Sequence, residues 1–198
     1  MTVELRRTSD LFFPHDDTVT DTLSNTTDTL HDFILCRLPE LNTPLASAAL
    51  HHFSIPGKMV RAKMALRAAN LLKIDVTAAL HWAVAIEVLH NASLIHDDIC
   101  DGDQLRRDRP SVCSLYGQNV ALTLGDWLIA LAFELAAEAG QRSQTPLLVK
   151  ILAQHMATTS TGEAAEFSTR TLFDWDYYLT IAADKTAPLL TAPMEGVA

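Results

Sequence analysis

One stretch organises this sequence: HNASLIHDDICDGDQLRR, residues 90–107. Three carboxylates end a long apolar run within it: Asp97, Asp98 and Asp101. At about 100° per residue, Asp97 and Asp101 lie about 40° apart around a helix, and His90 lies about 20° from Asp97. Carboxylates on one helical face repel each other unless a cation lies between them, so the rest of the sequence must indicate whether such a cation is bound.

A double arginine, Arg106-Arg107, follows the carboxylates closely. Carboxylate oxygens are preferred ligands of Mg²⁺, which keeps several waters and commonly shares a phosphate-bearing substrate with one or two carboxylates. Arginines can bind the same diphosphate through bidentate hydrogen bonds. The combination therefore predicts a metal-diphosphate site. The alternative is an acidic helix end that is tied to a basic loop by salt bridges.

The composition favours one helical domain with a buried core. The chain has 198 residues, is 48% apolar and contains only seven glycines, which predicts an all-α fold. A net charge of −9 argues against nucleic acid as a general partner. The three cysteines have no metal-type spacing and suit a reducing compartment, so we expect a cytoplasmic protein: Cys36, Cys100 and Cys113.

The two most apolar stretches, 78–95 and 119–133, are each interrupted by polar or charged residues. Glu87 lies in the first stretch, and Gly125-Asp126 lies in the second. The pattern therefore predicts buried core helices and no transmembrane segment.

The chain order predicts a mobile polar N-terminal arm, residues 1–28, and a helical domain, residues 29–198. Thr77 is the expected N-cap of the long apolar helix, and Pro188 and Pro193 are expected to kink the chain. The predicted helices are 29–38, 44–52, 58–73, 78–101, 118–139, 147–160, 162–171 and 177–185.

A second charged cluster is predicted at the start of the helix over 58–73. Lys58 and Arg61 are three residues apart, so they meet on one side of the first turn. Two cations are unfavourable at a helix N-terminus, which already carries partial positive charge. An anionic ligand would remove this conflict.

The stretch 90–107 with Pro110 resembles the first aspartate-rich motif of the trans-isoprenyl diphosphate synthases, the polyprenyl synthetase family. The resemblance runs from about residue 56 to the end of the sequence, and it implies an isoprenoid synthase-type helical bundle. Five further segments resemble the family in the same order: Gly57-Lys58-x-x-Arg61, Tyr116-Gly117, Gly125-Asp126, Gly162-Glu163-x-x-Glu166, and Tyr178 followed by Lys185-Thr186-Ala187.

The resemblance implies a Mg²⁺-dependent prenyltransferase that condenses isopentenyl diphosphate with an allylic diphosphate. Asp97 and Asp101 would bind the metal, with Asp98 supporting them. The residues implied to act on the allylic diphosphate are Arg106, Lys185 and Thr186. The residues implied to hold isopentenyl diphosphate are Lys58, Arg61, His90 and Arg107.

Product length in the family depends on side chains that precede the aspartates on their helix. Ala92 and Ser93 are small here, five and four positions before Asp97, where short-product enzymes carry aromatic rings. Leu89 and Ile86, further down the helix, are of medium size. The resemblance therefore implies a product of geranylgeranyl length or longer.

The sequence also departs from the family pattern. Asp108 stands where glycine usually follows the double arginine, and the sequence reaches Ala198 before a second aspartate-rich motif. We therefore expect an incomplete bundle, the N-terminal portion of a synthase, which associates with a further chain segment or forms a homodimer.

Three hypotheses follow from these matches and departures. The first is a prenyl-chain-elongating transferase. The second is a terpene cyclase on the same fold, which would not need Lys58, Arg61 and His90. The third is a catalytically weak partner subunit, in keeping with the missing second motif.

Overall fold

The computed structural model describes residues 19–167 and 175–198. Nine helices and one short hairpin make up these ranges, which confirms the all-α prediction. The helices are α1 (Val19–Leu35), α2 (Pro44–Phe53), α3 (Val60–Leu71), α4 (Val76–Cys100), α5 (Val112–Tyr116), α6 (Gln118–Ser143), α7 (Leu147–Glu166), α8 (Trp175–Thr186) and α9 (Pro188–Glu195). The hairpin strands are β1 (Leu105–Arg106) and β2 (Arg109–Pro110).

Helix α4 is the centre of the bundle. Its side chains are buried on all sides over most of its length, as its nearly uniform apolar sequence predicts. Helix α6 packs along α4, and α3 packs on another side. The Asp75 carboxylate accepts a hydrogen bond from the Ala78 N–H at 2.8 Å and caps the helix, so the prediction of Thr77 as the cap is wrong.

Helix α1 begins ten residues before the predicted start at Thr29. Residues 1–18 of the predicted arm lie outside the described residues, whereas residues 19–28 are helical. Thr26, Leu30 and Ile34 are spaced by four residues and are all buried. This common face extends the helix into the polar segment, because tertiary packing overrides weak intrinsic helix propensity.

Helix α3 begins at Val60, two residues later than predicted. Met59 precedes it with φ 49° and ψ 42°, a left-handed conformation. Lys58 therefore lies outside the helix, and the predicted pairing of Lys58 with Arg61 on one helical turn is wrong. The buried Met59 side chain takes part in the core at this turn.

Helix α7 passes through Gly162 without the predicted break. A Cβ atom at Gly162 would lie 2.5 Å from the Lys185 backbone nitrogen and 2.7 Å from the Asp184 carbonyl carbon. Glycine therefore lets α7 and α8 approach closely. Residues 168–171 of the predicted helix over 162–171 lie outside the described residues.

The chain changes direction between α8 and α9. Pro188 occupies the first turn of α9, where a missing N–H costs little. The Trp82 indole N–H donates to the Pro193 carbonyl at 3.4 Å, and Gly196 packs directly on the same indole. The segment after α8 therefore covers α4 instead of continuing α8.

Helices α4 and α6 are long and apolar enough to cross a membrane by length and composition alone. Within the bundle, 83% of the most apolar window of α4 is buried, compared with 44% for α6. The core helices of water-soluble bundles share this composition. The burial of α4 agrees with its predicted role as a core helix.

Candidate active site

Asp97 and Asp98 lie on the last turn of α4, and Asp101 is the residue that caps its C-terminus. The Asp101 N–H donates to the Asp97 carbonyl at 2.8 Å, so the two residues are one helical turn apart, as predicted. The Asp103 N–H donates to the Asp98 carbonyl at 3.0 Å. These hydrogen bonds lead the chain from α4 into the hairpin that carries the arginines.

Arg106 ties the hairpin to α4 through Asp98. The Asp98 side chain is 1% exposed, and its Oδ1 atom accepts a hydrogen bond from Arg106 Nε at 2.8 Å and another from Arg106 Nη2. Burial raises the pKa of Asp98, and the Arg106 guanidinium partly offsets that rise. Asp98 therefore positions Arg106 beside the other two carboxylates.

Arg107 and Asp108 form the two-residue turn of the hairpin. Leu105 pairs with Pro110, Arg106 pairs with Arg109, and the two turn residues have φ values of 55° and 61°. Hairpin turns with positive φ at both central positions favour glycine, asparagine and aspartate. Asp108 therefore adopts the conformation for which the family commonly uses glycine.

Asp97 lines a cavity of about 370 Å³ whose exposed lining is mostly apolar. Burial raises the pKa of Asp97 to about 6, and the nearby Glu163 carboxylate adds to that rise. The cavity is lined by Ser93, His96, Asp97, Ile99, Cys100, Leu122, Thr159, Ser160, Glu163, Ala164 and Phe167.

Lys185 on α8 faces the same carboxylates. Its Nζ atom lies 2.8 Å from Glu163 Oε2 and 2.6 Å from Glu166 Oε2, both on α7. Partial burial lowers the pKa of Lys185, but the hydrogen bonds to the two glutamates outweigh it and the net pKa is raised. Thr186, the next residue, is exposed at the end of α8.

A cationic cluster surrounds His90, which lies about two helical turns before Asp97 on α4. Burial lowers the pKa of His90 to about 3, and the nearby charges of Arg61 and Arg107 lower it further. His90 is therefore a neutral imidazole in this cluster. Arg61 is partly buried and its Nε atom has no hydrogen-bond partner within the described residues, whereas Lys58 is exposed.

Sequence reasoning missed three buried polar residues beside this cluster. Glu87 is 4% exposed and accepts a hydrogen bond from the Ala62 N–H at 3.3 Å. Burial raises its pKa, which the charges of Arg61 and Arg107 counter. His52 and Asn91 are also buried and hydrogen-bond to each other. The signal in the sequence was a charged residue, Glu87, inside an apolar run.

The residues predicted to control product length occupy two different environments. Ser93 lines the cavity, and its hydroxyl donates to the His90 carbonyl at 2.8 Å. Ala92, Leu89 and Ile86 are buried in the core and are not among the lining residues of this cavity. Leu122 of α6 and Thr159 of α7 complete the cavity wall, a contribution that spacing along α4 does not reveal.

The carboxylates suit Mg²⁺ that is shared with a phosphate ligand. Over residues 19–167 and 175–198, no three His, Cys, Asp or Glu side chains converge closely enough to hold a metal ion by themselves. Asp97 and Asp101 on one helical face supply the one or two carboxylates that Mg²⁺ commonly takes from protein, with water and phosphate completing its octahedron. The donor set therefore fits the predicted metal.

The arrangement matches a known family. The protein-family model described as Polyprenyl synthetase matches residues 42–198 of this chain. Heptaprenyl diphosphate synthase component 2 of Geobacillus stearothermophilus is 36% identical over 151 residues, which cover 75% of this chain and 46% of the relative. Geranylgeranyl diphosphate synthase of Saccharolobus solfataricus is 34% identical over 152 residues, with 74% and 46% coverage.

Solved structures agree with the sequence relatives. Geranylgeranyl pyrophosphate synthetase from the archaeon Geoglobus acetivorans superposes with a TM-score of 0.79 at 30% identity, over 89% of this chain and 59% of that chain. The chain spans about half the length of the curated relatives that it matches. Fold, motif order and sequence identity thus agree, and the chain belongs to the polyprenyl synthetase family.

Proposed function

We propose that the chain acts in a Mg²⁺-dependent prenyltransferase that joins isopentenyl diphosphate to an allylic diphosphate. One observation carries this proposal: Asp97 lines a largely apolar cavity, and a cationic cluster surrounds His90 about two turns earlier on the same helix. A prenyl diphosphate has one apolar part and one strongly anionic part. The cavity suits the apolar chain, and the flanking charges suit two diphosphates.

On the carboxylate side, the allylic diphosphate would lie beside Asp97 and Asp101. Mg²⁺ bound there would neutralise negative charge on the departing diphosphate. Arg106 and Lys185 would donate hydrogen bonds to the same group, with Thr186 next to them. To reach the diphosphate, Lys185 would exchange its contact with Glu163 or Glu166 for one with a phosphate oxygen.

On the cationic side, Lys58, Arg61 and Arg107 would hold the diphosphate of isopentenyl diphosphate, and neutral His90 would donate a hydrogen bond. The allylic C–O bond would break to give a carbocation and pyrophosphate, the double bond of isopentenyl diphosphate would attack that cation to form the new C–C bond, and the pyrophosphate would then accept the proton that is lost. The residues supply orientation and charge, and exclusion of water by the cavity protects the cationic carbon.

The product is proposed to be geranylgeranyl diphosphate or a longer chain. Ser93 is the small residue of the product-length set that lines the cavity, so its side chain leaves space for a growing chain. Leu122 and Thr159, on the facing helices, are not aromatic either. Incubation with farnesyl and isopentenyl diphosphates tests this: a Ser93→Phe variant should make shorter products than wild type.

The matched control for that experiment is Ala157→Phe, which places the same ring at an exposed position on α7 that does not line the cavity. It should leave the product unchanged. Wild-type product that stops at farnesyl diphosphate would contradict the proposed length.

The active assembly is proposed to contain a second chain or segment, either in a homodimer or with a different subunit. The relative from Geobacillus stearothermophilus is named as one component of its synthase, and this chain spans about half of that relative. Phe167 at the end of α7, Leu179 on α8 and Met194 on α9 are large apolar side chains that are about half exposed. Such side chains are commonly covered in assemblies.

We also propose that the protein is located in the cytoplasm. Its support is that Cys36, Cys100 and Cys113 are all unpaired thiols, which a reducing compartment maintains.

The decisive experiment supplies allylic diphosphates and Mg²⁺ with and without isopentenyl diphosphate, then identifies the products. Elongation requires both substrates, and chelation of Mg²⁺ should abolish it. Consumption of the allylic substrate alone with release of a hydrocarbon would identify a terpene cyclase and overturn the proposal. Elongation that appears only after addition of a chain with the second aspartate-rich motif would identify the partner-subunit role.

A further inference from the structure

The guanidinium of Arg107 is held at several points by the chain itself. Its Nη1 atom donates to the Ile55 carbonyl at 2.9 Å, and its Nη2 atom donates to Asn91 Oδ1 at 3.2 Å. Gly57 packs against the same group, because a Cβ atom there would lie 3.0 Å from Nη2. The hairpin turn thus reaches both the loop before α3 and the body of α4.

Asn91 has only one amide orientation that satisfies its neighbours. Its Nδ2 atom donates to the Glu87 carbonyl at 2.8 Å, which leaves Oδ1 to face Arg107. Arginine donates and never accepts hydrogen bonds, so Oδ1 is the acceptor. His52 Nε2 lies 3.0 Å from the same oxygen and must therefore carry the hydrogen.

This contact is made away from water. Asn91 is 3% exposed and His52 is 8% exposed, so a polar group left unpaired here would keep its full desolvation cost. Burial lowers the pKa of His52 to about 4, and the charges of Arg107 and Arg106 lower it further. A neutral His52 supplies an N–H group without adding positive charge beside Arg107.

We propose that His52 and Asn91 are positioning residues that hold the Arg107 guanidinium in place for the diphosphate of isopentenyl diphosphate. His52 fixes the Asn91 oxygen, and that oxygen fixes Arg107. The inference rests on the proposed function, which assigns Arg107 to this substrate. It adds two residues that would touch neither substrate and would act only through the arginine.

Loss of this hydrogen-bond network should affect the binding of the two substrates to different extents. Arg106 is held by Asp98 and not by Asn91 or His52. Loss of the Asn91 oxygen should therefore weaken binding of isopentenyl diphosphate and leave binding of the allylic diphosphate nearly unchanged. A purely structural defect would weaken both.

The test uses the full chain as wild type and as the Asn91→Ala, His52→Gln and His51→Gln variants. Glutamine can still donate to Asn91 Oδ1, so His52→Gln is the conservative replacement. His51→Gln is the matched control, because the adjacent His51 contacts Arg109 and the Pro110 carbonyl instead. Thermal melting first establishes that each variant is folded.

Two measurements follow. Nitrogen-detected NMR of the arginine side chains reports whether rotation of the Arg107 guanidinium is hindered, without any ligand. Calorimetric titration with isopentenyl diphosphate reports its dissociation constant. Asn91→Ala should release Arg107 and raise that constant about tenfold. His52→Gln should raise it about threefold or less, and His51→Gln should match wild type.

An Asn91→Ala variant that is folded, keeps the hindered Arg107 signal and binds isopentenyl diphosphate as wild type does would overturn the inference. If wild type binds no isopentenyl diphosphate while Asn91→Ala still releases Arg107, the proposed function fails and the positioning of Arg107 by Asn91 is supported.

Discussion

Two charged regions along α4, the carboxylate side around Asp97 and the cationic side around His90 and Arg107, hold their charges in different ways. On the cationic side, the contacts of Arg107 come from Ile55 and Asn91, and Glu87 lies nearby as a buried counter-charge. On the carboxylate side, Lys185 and Arg106 face a larger set of acids: Asp97, Asp98, Glu163 and Glu166. The atoms on that side that are buried without a hydrogen-bond partner in the described residues are Asp98 Oδ2, Thr159 Oγ1 and Glu163 Oε1.

The difference shows how one helix end can serve two anionic groups. Excess positive charge on one side attracts a diphosphate directly, and excess carboxylate on the other side favours a diphosphate that brings a divalent cation. Residues from α2, α3 and α4 build the first side together with Arg107 of the hairpin, whereas α4, α7 and α8 build the second together with Arg106 of the hairpin. Substitutions can therefore perturb each side separately.

The largest expected effect is on the carboxylate side. Asp97→Asn removes a charge that the proposed metal requires, so the rate of product formation by the active assembly should fall by about a hundredfold to a thousandfold. Asp32→Asn, an exposed change on α1, is the control and should have no effect. Steady-state product assays measure both, and retained activity in Asp97→Asn would contradict the role of this side.

The next effect concerns stability. Arg106→Ala leaves the buried Asp98 carboxylate without its ion-pair partner, which should cost about 3–5 kcal/mol of unfolding free energy. Arg109→Ala, on the neighbouring strand, removes contacts to Ser54 and His51 near the surface and should cost about 1 kcal/mol or less. Urea denaturation compares the two, and equal losses would show that Asp98 does not depend on Arg106.

On the cationic side, the buried His52 should make the unfolding free energy depend on pH. Between pH 6.5 and about 4, an unfolded chain protonates His52 and the folded chain does not, so the unfolded state binds more protons. The His52 contribution to the unfolding free energy should therefore fall by on the order of 3 kcal/mol as the pH drops through this window, whereas Asp97, with its pKa raised to about 6, contributes with the opposite sign. His90, with a folded pKa of about 3, should add to the His52 contribution.

Urea denaturation at several pH values checks this expectation. His52→Gln should remove the His52 contribution, so its unfolding free energy should fall less toward low pH than that of wild type, and His51→Gln should keep the wild-type slope because His52 and His90 remain. An unchanged slope in His52→Gln would mean that His52 is not held neutral in the folded chain.

The smallest expected effects are on the unfolding free energy of two glycine variants. Gly162 lies on the carboxylate side and Gly57 lies on the cationic side. Gly162→Ala forces a methyl group against the backbone of α8, which should cost about 1–3 kcal/mol despite the better helix propensity of alanine. Gly57→Ala meets only the end of the Arg107 side chain, which can move, so it should cost less than about 1 kcal/mol. Ser160→Ala on α7 is the control. Equal costs in denaturation experiments would contradict this distinction.

Much of the fold and part of the site could be predicted from the sequence because their signals are local. The apolar run of α4 and the four-residue spacing of Asp97 and Asp101 depend only on helix geometry. The order of the motifs predicted the family, which the comparisons confirm. Some predictions failed where a distant segment decides the outcome, as at Gly162, whose role depends on Lys185, and others failed locally, as at the helix cap Asp75.

The sequence by itself therefore determined the helical class, the family and the position of the carboxylates on α4. Only the tertiary structure decided that Lys58 lies outside α3, that Ser93 lines the cavity while Ala92 is buried, and that His52 and Asn91 hold Arg107. The physical reason is the separation along the sequence between the residues that make each contact. Helical periodicity repeats over three or four residues, but His52 lies 39 residues from Asn91, and Asn91 lies 16 from Arg107. Their contact exists only after α2, α4 and the hairpin have packed together.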